Sequence, residues 1–478
     1  MIVRLALRSL GVRRLRTAVL AFGFGFGIAV MAELLGVGEV VLQQAHAPAL
    51  QGGGDLVVSG AFGSVDSARF VLSNVLGAKD LAPRVSAAAP STRALIYLLR
   101  PGHAAVPVIA RGGVPSLERA VGDPEVANEP AWTDGPADRQ WSHPDPGDVL
   151  RAMDRFHPIP DVPEFASSWA EWLYFNGRTA DGRVRFYLTF LAGPVRSPGV
   201  RVAGVRLQLE HDGHMTSYVA GGDVDERALL DGAPDVTIDG NRVRLDGLTY
   251  RISLHLRDAR ESRASLDGDL ALVASPGRSL PPAVIHAARG WVTGYVVPVL
   301  SGQVHGALHV GGETIPLEGA AGYHDHNWGF WKDVRWQWGQ VAHGDLSFVY
   351  GRVFPPPSVA DPERMPGFLG VLGPDGPLGM ASDVSIVEHG AAAAPSAISV
   401  TARGPAVDLN VEFSVDRAEQ TPFALTGGPD AGSVQFLQLG GTYTVRGKAG
   451  GRALDFSARG AAETFREARR PPPAVGRP

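Results

Sequence analysis

Val184, Phe186, Leu188 and Phe190 alternate with Arg185, Tyr187 and Thr189, and this period-two rhythm recurs along most of the chain beyond residue 160. Alternation of this kind puts the apolar side chains on one face of an extended strand. It returns at residues 202–209, 248–256 and 304–310, then at 346–353, 397–402, 407–413, 434–439, 443–446 and 454–458. Asp239-Gly240 and Gly311-Gly312 sit between such runs as two-residue hairpin turns. With 60 Gly, 37 Pro and only 19% charged residues, little is left to build long helices. The fold class is therefore mainly β, with strand material for two consecutive antiparallel barrels, and a barrel interior offers room for an elongated apolar ligand.

At 478 residues the chain exceeds one core, so two or three domains are expected. A net charge of −5 gives no reason to expect a nucleic-acid partner. The absence of Cys excludes disulfides, thiolate catalysis and thiolate metal sites. Arg4, Arg8, Arg13, Arg14 and Arg16 precede an uncharged run over residues 17–32. A helix over residues 15–35 is about long enough to cross a bilayer, and the basic cluster keeps the N-terminus cytoplasmic with the bulk of the chain outside. A cleaved signal peptide is the rival, with Ala45-His46-Ala47 as cleavage site, but Pro48 follows directly. Residues 115–160 are rich in Pro, Asp, Glu and Gly and read as an exposed linker, with one short helix near residues 149–155.

The densest chemistry lies in Gly322-Tyr323-His324-Asp325-His326-Asn327-Trp328-Gly329, continued by Phe330, Trp331, Trp336 and Trp338. If this stretch is extended, Tyr323, Asp325 and Asn327 share one face, and His324, His326 and Trp328 the other. Two imidazoles and a carboxylate need hydrogen-bond partners if buried. Asp325 between histidines is alternatively a buried ion pair that fixes the barrel junction. His324 and His326 have zinc-ligand spacing, but a third ligand must come from elsewhere, such as His343 or His305, so no metal is expected. Trp331, Trp336 and Trp338 are read first as packing residues. Trp172 and Tyr174 share a strand face and line a barrel, whereas Glu171 is a second candidate carboxylate expected at a solvated strand edge.

Several segments resemble the CrtC/AttH family, the carotenoid 1,2-hydratase (hydroxyneurosporene synthase) group. They are Glu171-Trp172-Leu173-Tyr174-Phe175-Asn176-Gly177, Tyr187-Leu188-Thr189-Phe190, the octapeptide, Trp336-Gln337-Trp338-Gly339 and Glu463-Thr464-Phe465-Arg466. Asp154-Arg155-Phe156-His157 resembles the family too, and is read as packing. Leu173 departs from the second Trp common there. The resemblance covers about residues 155–468 and implies two lipocalin-like β-barrels. Separately, Arg13-Arg14-Leu15-Arg16-Thr17-Ala18-Val19-Leu20 and the segments to residue 115 resemble the opening of MacB/FtsX-type ABC-transporter permeases. The organisation expected is a tail and transmembrane anchor (1–42), a small α/β permease-like extracytoplasmic segment (43–115), a linker (116–160), two lipocalin-like barrels (161–330 and 331–468) and a disordered tail (469–478).

Hydrating an alkene requires protonating carbon before water adds. A carboxyl group in an apolar site stays protonated longer, so Asp325 is the expected general acid. His324 or His326 would orient it or relay a proton, and Tyr323 and Trp328 would face the cation. Trp172, Tyr174, Trp336 and Trp338 are the expected ligand contacts, and no cofactor is expected. The resemblance implies an apolar lipid, terpenoid or polyene as ligand, with hydration as the reaction. The alternative is a non-enzymatic lipophile carrier anchored in the cell membrane beside ABC-transporter subunits.

Overall fold

The computed structural model describes residues 54–58, 68–77, 82–99, 106–123, 126, 129–141, 144–259, 265–275, 278–374, 376–391, 393–421 and 434–467, with Leu15, Phe22, Phe26 and Met31 before them. The anchor expected over residues 15–35 therefore lies outside the described residues apart from those four. Among the described residues no helix is long and apolar enough to cross a membrane. Among the described residues the helices with given bounds are short: α1 (Ala68–Gly77), α2 (Pro115–Ala120), α3 (Pro146–Met153) and α4 (Glu226–Gly232).

The chain divides into two compact units. The smaller contains a hairpin, β1 (Ser91–Leu98) with β2 (Val106–Gly113), and then α2. In it Arg111 bonds the carboxylates of Glu118 and Asp123.

The larger unit holds two barrel-like sheets. The first contains β3 (Trp169–Arg178), β4 (Val184–Ser197), β5 (Val200–His211), β6 (His214–Asp225), β7 (Val236–Ile238), β8 (Asn241–Asp246), β9 (Thr249–Asp258), β10 (Ser265–Ala274), β11 (Leu280–His286), β12 (Val292–Val310), β13 (Glu313–Pro316) and β14 (Ala320–Phe330). Its strands follow the order β10-β12-β14-β3-β4-β5-β6-β9, and β9 pairs back onto β10, which closes the ring. Closure removes the exposed edges that an open sheet would leave. Asp239 and Gly240 both take positive φ, 46° and 81°, as a tight turn between twisted strands requires. The second sheet runs β18 (Gly376–Ala381), β17 (Phe368–Gly373), β16 (Leu346–Phe354), β15 (Arg335–His343), β23 (Arg452–Glu467), β22 (Val434–Ala449), β21 (Val407–Thr421), β20 (Pro395–Gly404) and β19 (Asp383–Gly390). Its ends meet by packing, β17 against β19 and β18 against β20.

Each barrel fills its own interior. Leu173, Phe175, Leu188, Phe190, Leu207, Leu256 and Leu266 are fully buried in the first, and Val400, Leu409, Phe413, Leu439 and Tyr443 in the second. Nine of the ten residues of β3 are buried, on both its faces. The outer face of β3 is covered because the second barrel packs there, as the contacts of Trp172 with Trp336 and of Tyr174 with Trp338 show.

The stretch expected to be an exposed linker ends differently. Asp145 caps α3 by accepting from the backbone N–H groups of Gly147 and Asp148, and Pro146 opens the helix. Val149, Leu150 and Met153 are buried, and the helix delivers Asp154 at its C-cap, itself fully buried. The short helix was expected near residues 149–155, but its burial was not, because a plug with polar flanks has the same Pro- and Asp-rich signature as a linker.

Candidate active site

Strand β14 divides the octapeptide as alternation requires. Its pairing with β3 sets His324 opposite Phe175, His326 opposite Leu173 and Trp328 opposite Glu171. On the other face Tyr323 lies opposite Asn176, Asp325 opposite Tyr174 and Asn327 opposite Trp172. Cross-strand partners point to the same side. The histidines therefore enter the first barrel, and Asp325 looks out towards the second.

Inside the barrel the polar groups form a closed knot. Asp154 Oδ2 lies 2.9 Å from His324 Nε2 and accepts from the Tyr250 hydroxyl at 2.9 Å, while Asp154 Oδ1 lies 2.9 Å from His326 Nδ1. His326 Nε2 reaches Glu171 Oε1 at 3.0 Å, and His157 Nδ1 reaches the same oxygen at 2.7 Å. The backbone N–H of His157 donates to Glu171, and Arg201 Nη2 lies 3.9 Å from its other oxygen. His324 Nδ1 is 2.9 Å from the Tyr174 carbonyl, which can only accept, so that nitrogen carries a proton. His157 stacks on Trp328 at 4.1 Å, and a Cβ on Gly294 would overlap that indole, which makes Gly294 the residue that admits it.

Burial opposes the charge on His326, yet its two carboxylate partners win and push it up to about 9. Burial likewise raises Asp154, and the two histidines overcome it to hold the carboxyl at about 2. Below its ordinary 6.5 the His326 contribution to stability is fully present, and it is lost as pH rises through about 9. Asp154 contributes above 3.8 and loses its contribution as pH falls towards about 2. A shift from 6.5 to about 9 corresponds to at most about 3 kcal/mol. Thermal melts are therefore expected to fall steadily between pH 6.5 and 9.5, and a flat profile there would contradict the knot.

Glu171 thus differs from its expected place at a solvated edge, because it is wholly buried as the second anion of the knot. Neither histidine bonds Asp325, so the expected orienting contact is absent from this geometry: the strand backbone separates them. The residues with metal-ligand spacing also differ from those expected, since His157, Glu171 and His326 bring donor atoms within 4.8 Å of one another. In the arrangement seen, both nitrogens of His326 are already engaged by carboxylates.

The outward face opens on a cavity of about 290 Å³ between the barrels. The first barrel supplies Trp172, Tyr174, Tyr187, Thr189, Arg206, Tyr295, Asp325 and Asn327, and the second Trp336, Trp338, Phe368, Phe436 and Glu463. The cavity therefore lies between the barrels, whereas a barrel interior was expected. Trp331, Trp336 and Trp338, read first as packing, all line it.

Asp325 is 3% exposed and sits at the end of a hydrogen-bond chain. Trp338 Nε1 donates to the Tyr295 hydroxyl at 2.9 Å, that hydroxyl lies 2.7 Å from the Tyr323 hydroxyl, and Tyr323 donates to Asp325 Oδ2 at 2.8 Å. Asn327 Nδ2 donates to Oδ1 at 2.9 Å. Burial, reinforced by the Glu463 carboxyl, holds Asp325 well above the usual carboxylate range; the Tyr323 bond and the His326 charge oppose this and lose. Glu463 is itself pushed up to about 7 by burial, against the amide of Gln438. Glu463 and Tyr295 escaped sequence reasoning as site residues. Both come from strands distant along the chain, although Glu463 stands in one of the segments that carried the resemblance.

No family model matches the chain, and no curated protein matches it. Solved structures do. An AttH protein from Nitrosomonas europaea is 15% identical, with 65% of this chain and 99% of that chain covered and a TM-score of 0.45. Kievitone hydratase from Nectria haematococca is 14% identical, with 65% and 96% covered and a TM-score of 0.41. CghA is 14% identical, with 66% and 93% covered and a TM-score of 0.37. None of these comparisons supports the permease likeness of the first 115 residues. The roles of the side chains rest on the site's own geometry.

Proposed function

We propose that the chain binds an apolar alkene (a lipid, terpenoid or polyene) between its barrels and hydrates it by proton transfer from Asp325. The observation that carries this reading is a carboxyl group, raised well above the usual carboxylate range by burial and by Glu463, that opens on an aromatic cavity. The proton moves from Asp325 to an alkene carbon, and the cation so formed lies among the rings of Tyr174, Trp336 and Trp338. Water attacks the cation, and Glu463, half ionised near pH 7, takes the proton that the water releases. That proton returns to Asp325, which closes the cycle without a cofactor step. The His324–His326 knot supports the site by holding β14 and β3 in register.

The test uses the lipid extract that copurifies with the full chain, identified by mass spectrometry. Each alkene found is then incubated with the protein in deuterated, ¹⁸O-labelled water. Hydration predicts one deuterium on carbon and one ¹⁸O on the neighbouring carbon. The rate is expected to rise as pH approaches 7, because Glu463 must ionise, and to fall once the pH passes the raised value of Asp325. Bound ligand that takes up neither label would establish the carrier reading instead.

A further inference from the structure

A second, small cavity of about 60 Å³ adjoins the first and shares Tyr187 with it. Arg178, Arg185 and Arg459 converge on it. Arg185 is 7% exposed, and its Nε has no hydrogen-bond partner among the described residues. Two carboxylates stand nearby, and each is engaged elsewhere. Glu210, opposite Arg185 across the β4–β5 pair, is bridged by Arg417, and Asp416 is bridged by Arg459. Three guanidinium groups thus line the cavity, and neither Arg178 nor Arg185 has an ion-pair partner among the described residues, which leaves two positive charges unpaired in a half-buried place. Burial, then the charges of Arg185 and Arg459, hold Arg178 below its ordinary value, as expected for cations that lack a counter-charge. Such a surplus is costly to bury unless an anion completes it.

We infer that Arg178 and Arg185 form an anion site for the acidic head of an amphiphile whose apolar body extends into the cavity between the barrels. The head is an oxyacid, carboxylate or phosphate, a shape that guanidinium forks match. The cross-strand row Ala321–Arg178–Arg185 lies four residues along β14 from Asp325. That is about 13 Å of strand, so a head held by the arginines sets the reacting double bond several carbons away. This inference rests on the proposal that the larger cavity takes an apolar molecule.

Decanoate, methyl decanoate and inorganic phosphate serve as probes for the full chain. Binding is followed by the fluorescence of Trp172, Trp331, Trp336 and Trp338, which line the larger cavity. Decanoate is expected to bind about tenfold or more tightly than its ester. Arg178→Gln and Arg185→Gln are expected to abolish that preference and leave the ester's affinity unchanged. Arg178 is half-buried, so its variant keeps the test alive if Arg185→Gln fails to fold. Equal binding of acid and ester, or a preference that survives in Arg178→Gln, overturns the inference. Failure of both decanoate and its ester to bind overturns the cavity reading, and with it the amphiphile. Phosphate alone then decides the anion site. A rise in Tm over chloride at equal ionic strength that vanishes in Arg178→Gln supports the site, and no rise overturns it.

Discussion

Replacing Asp154 by Ala is expected to lower folding stability by about 3–5 kcal/mol, the range found when one partner of a buried ion pair is removed. The loss is large because one carboxylate satisfies three buried donors, His324, His326 and Tyr250. Without it the His326 imidazolium keeps Glu171 alone. For a fold whose total stability is about 5–15 kcal/mol, that change is a substantial fraction. Denaturant unfolding followed by Trp fluorescence measures it. A loss below about 1 kcal/mol would mean that the knot is incidental to the barrel.

Asp325→Asn is expected to do the reverse: turnover falls by about 10²–10⁴-fold while the fold survives. The amide keeps the shape: its carbonyl oxygen can accept from Asn327 while its NH2 group donates to the Tyr323 hydroxyl. Asp325, with its raised folded value, stabilises fully only below its ordinary 3.8 and loses that contribution as pH rises, so at pH 7 its replacement carries no such cost. Stability at pH 7 should therefore stay level or rise. Glu463→Gln is the companion, because it removes the second cause of the Asp325 shift and should bring that carboxyl back towards the ordinary range.

The two substitutions separate what strand alternation could and could not convey. Assigning Tyr323, Asp325 and Asn327 to one face needed only the period of a strand, and the pairing of β14 with β3 has that pattern. Which face is the ligand side was not legible, because both faces of β3 are buried and period two does not distinguish a barrel interior from a barrel junction. Asp154 and His157 stood in a segment that resembles the family but were read as packing, because the polar composition around them has the signature of a linker. Glu171 was expected at a solvated strand edge, and its burial depends on Arg201 and His157, which reach it from other elements. Arg178 and Arg185 each look like an ordinary outward-facing strand residue, and only the docking of β23 brings Arg459 to them.

As the proposed proton donor, Asp325 must face the cavity with a carboxyl that holds its proton well above the usual carboxylate range. Carbon-detected NMR of the side-chain carboxyl groups across pH 4 to 9, with Asp325→Asn to assign the signal, tests it directly. The expected result is an Asp325 carboxyl that titrates well above the usual carboxylate range. A carboxyl that titrates near its ordinary 3.8 would remove the proposed acid and leave the cavity as a binding site alone.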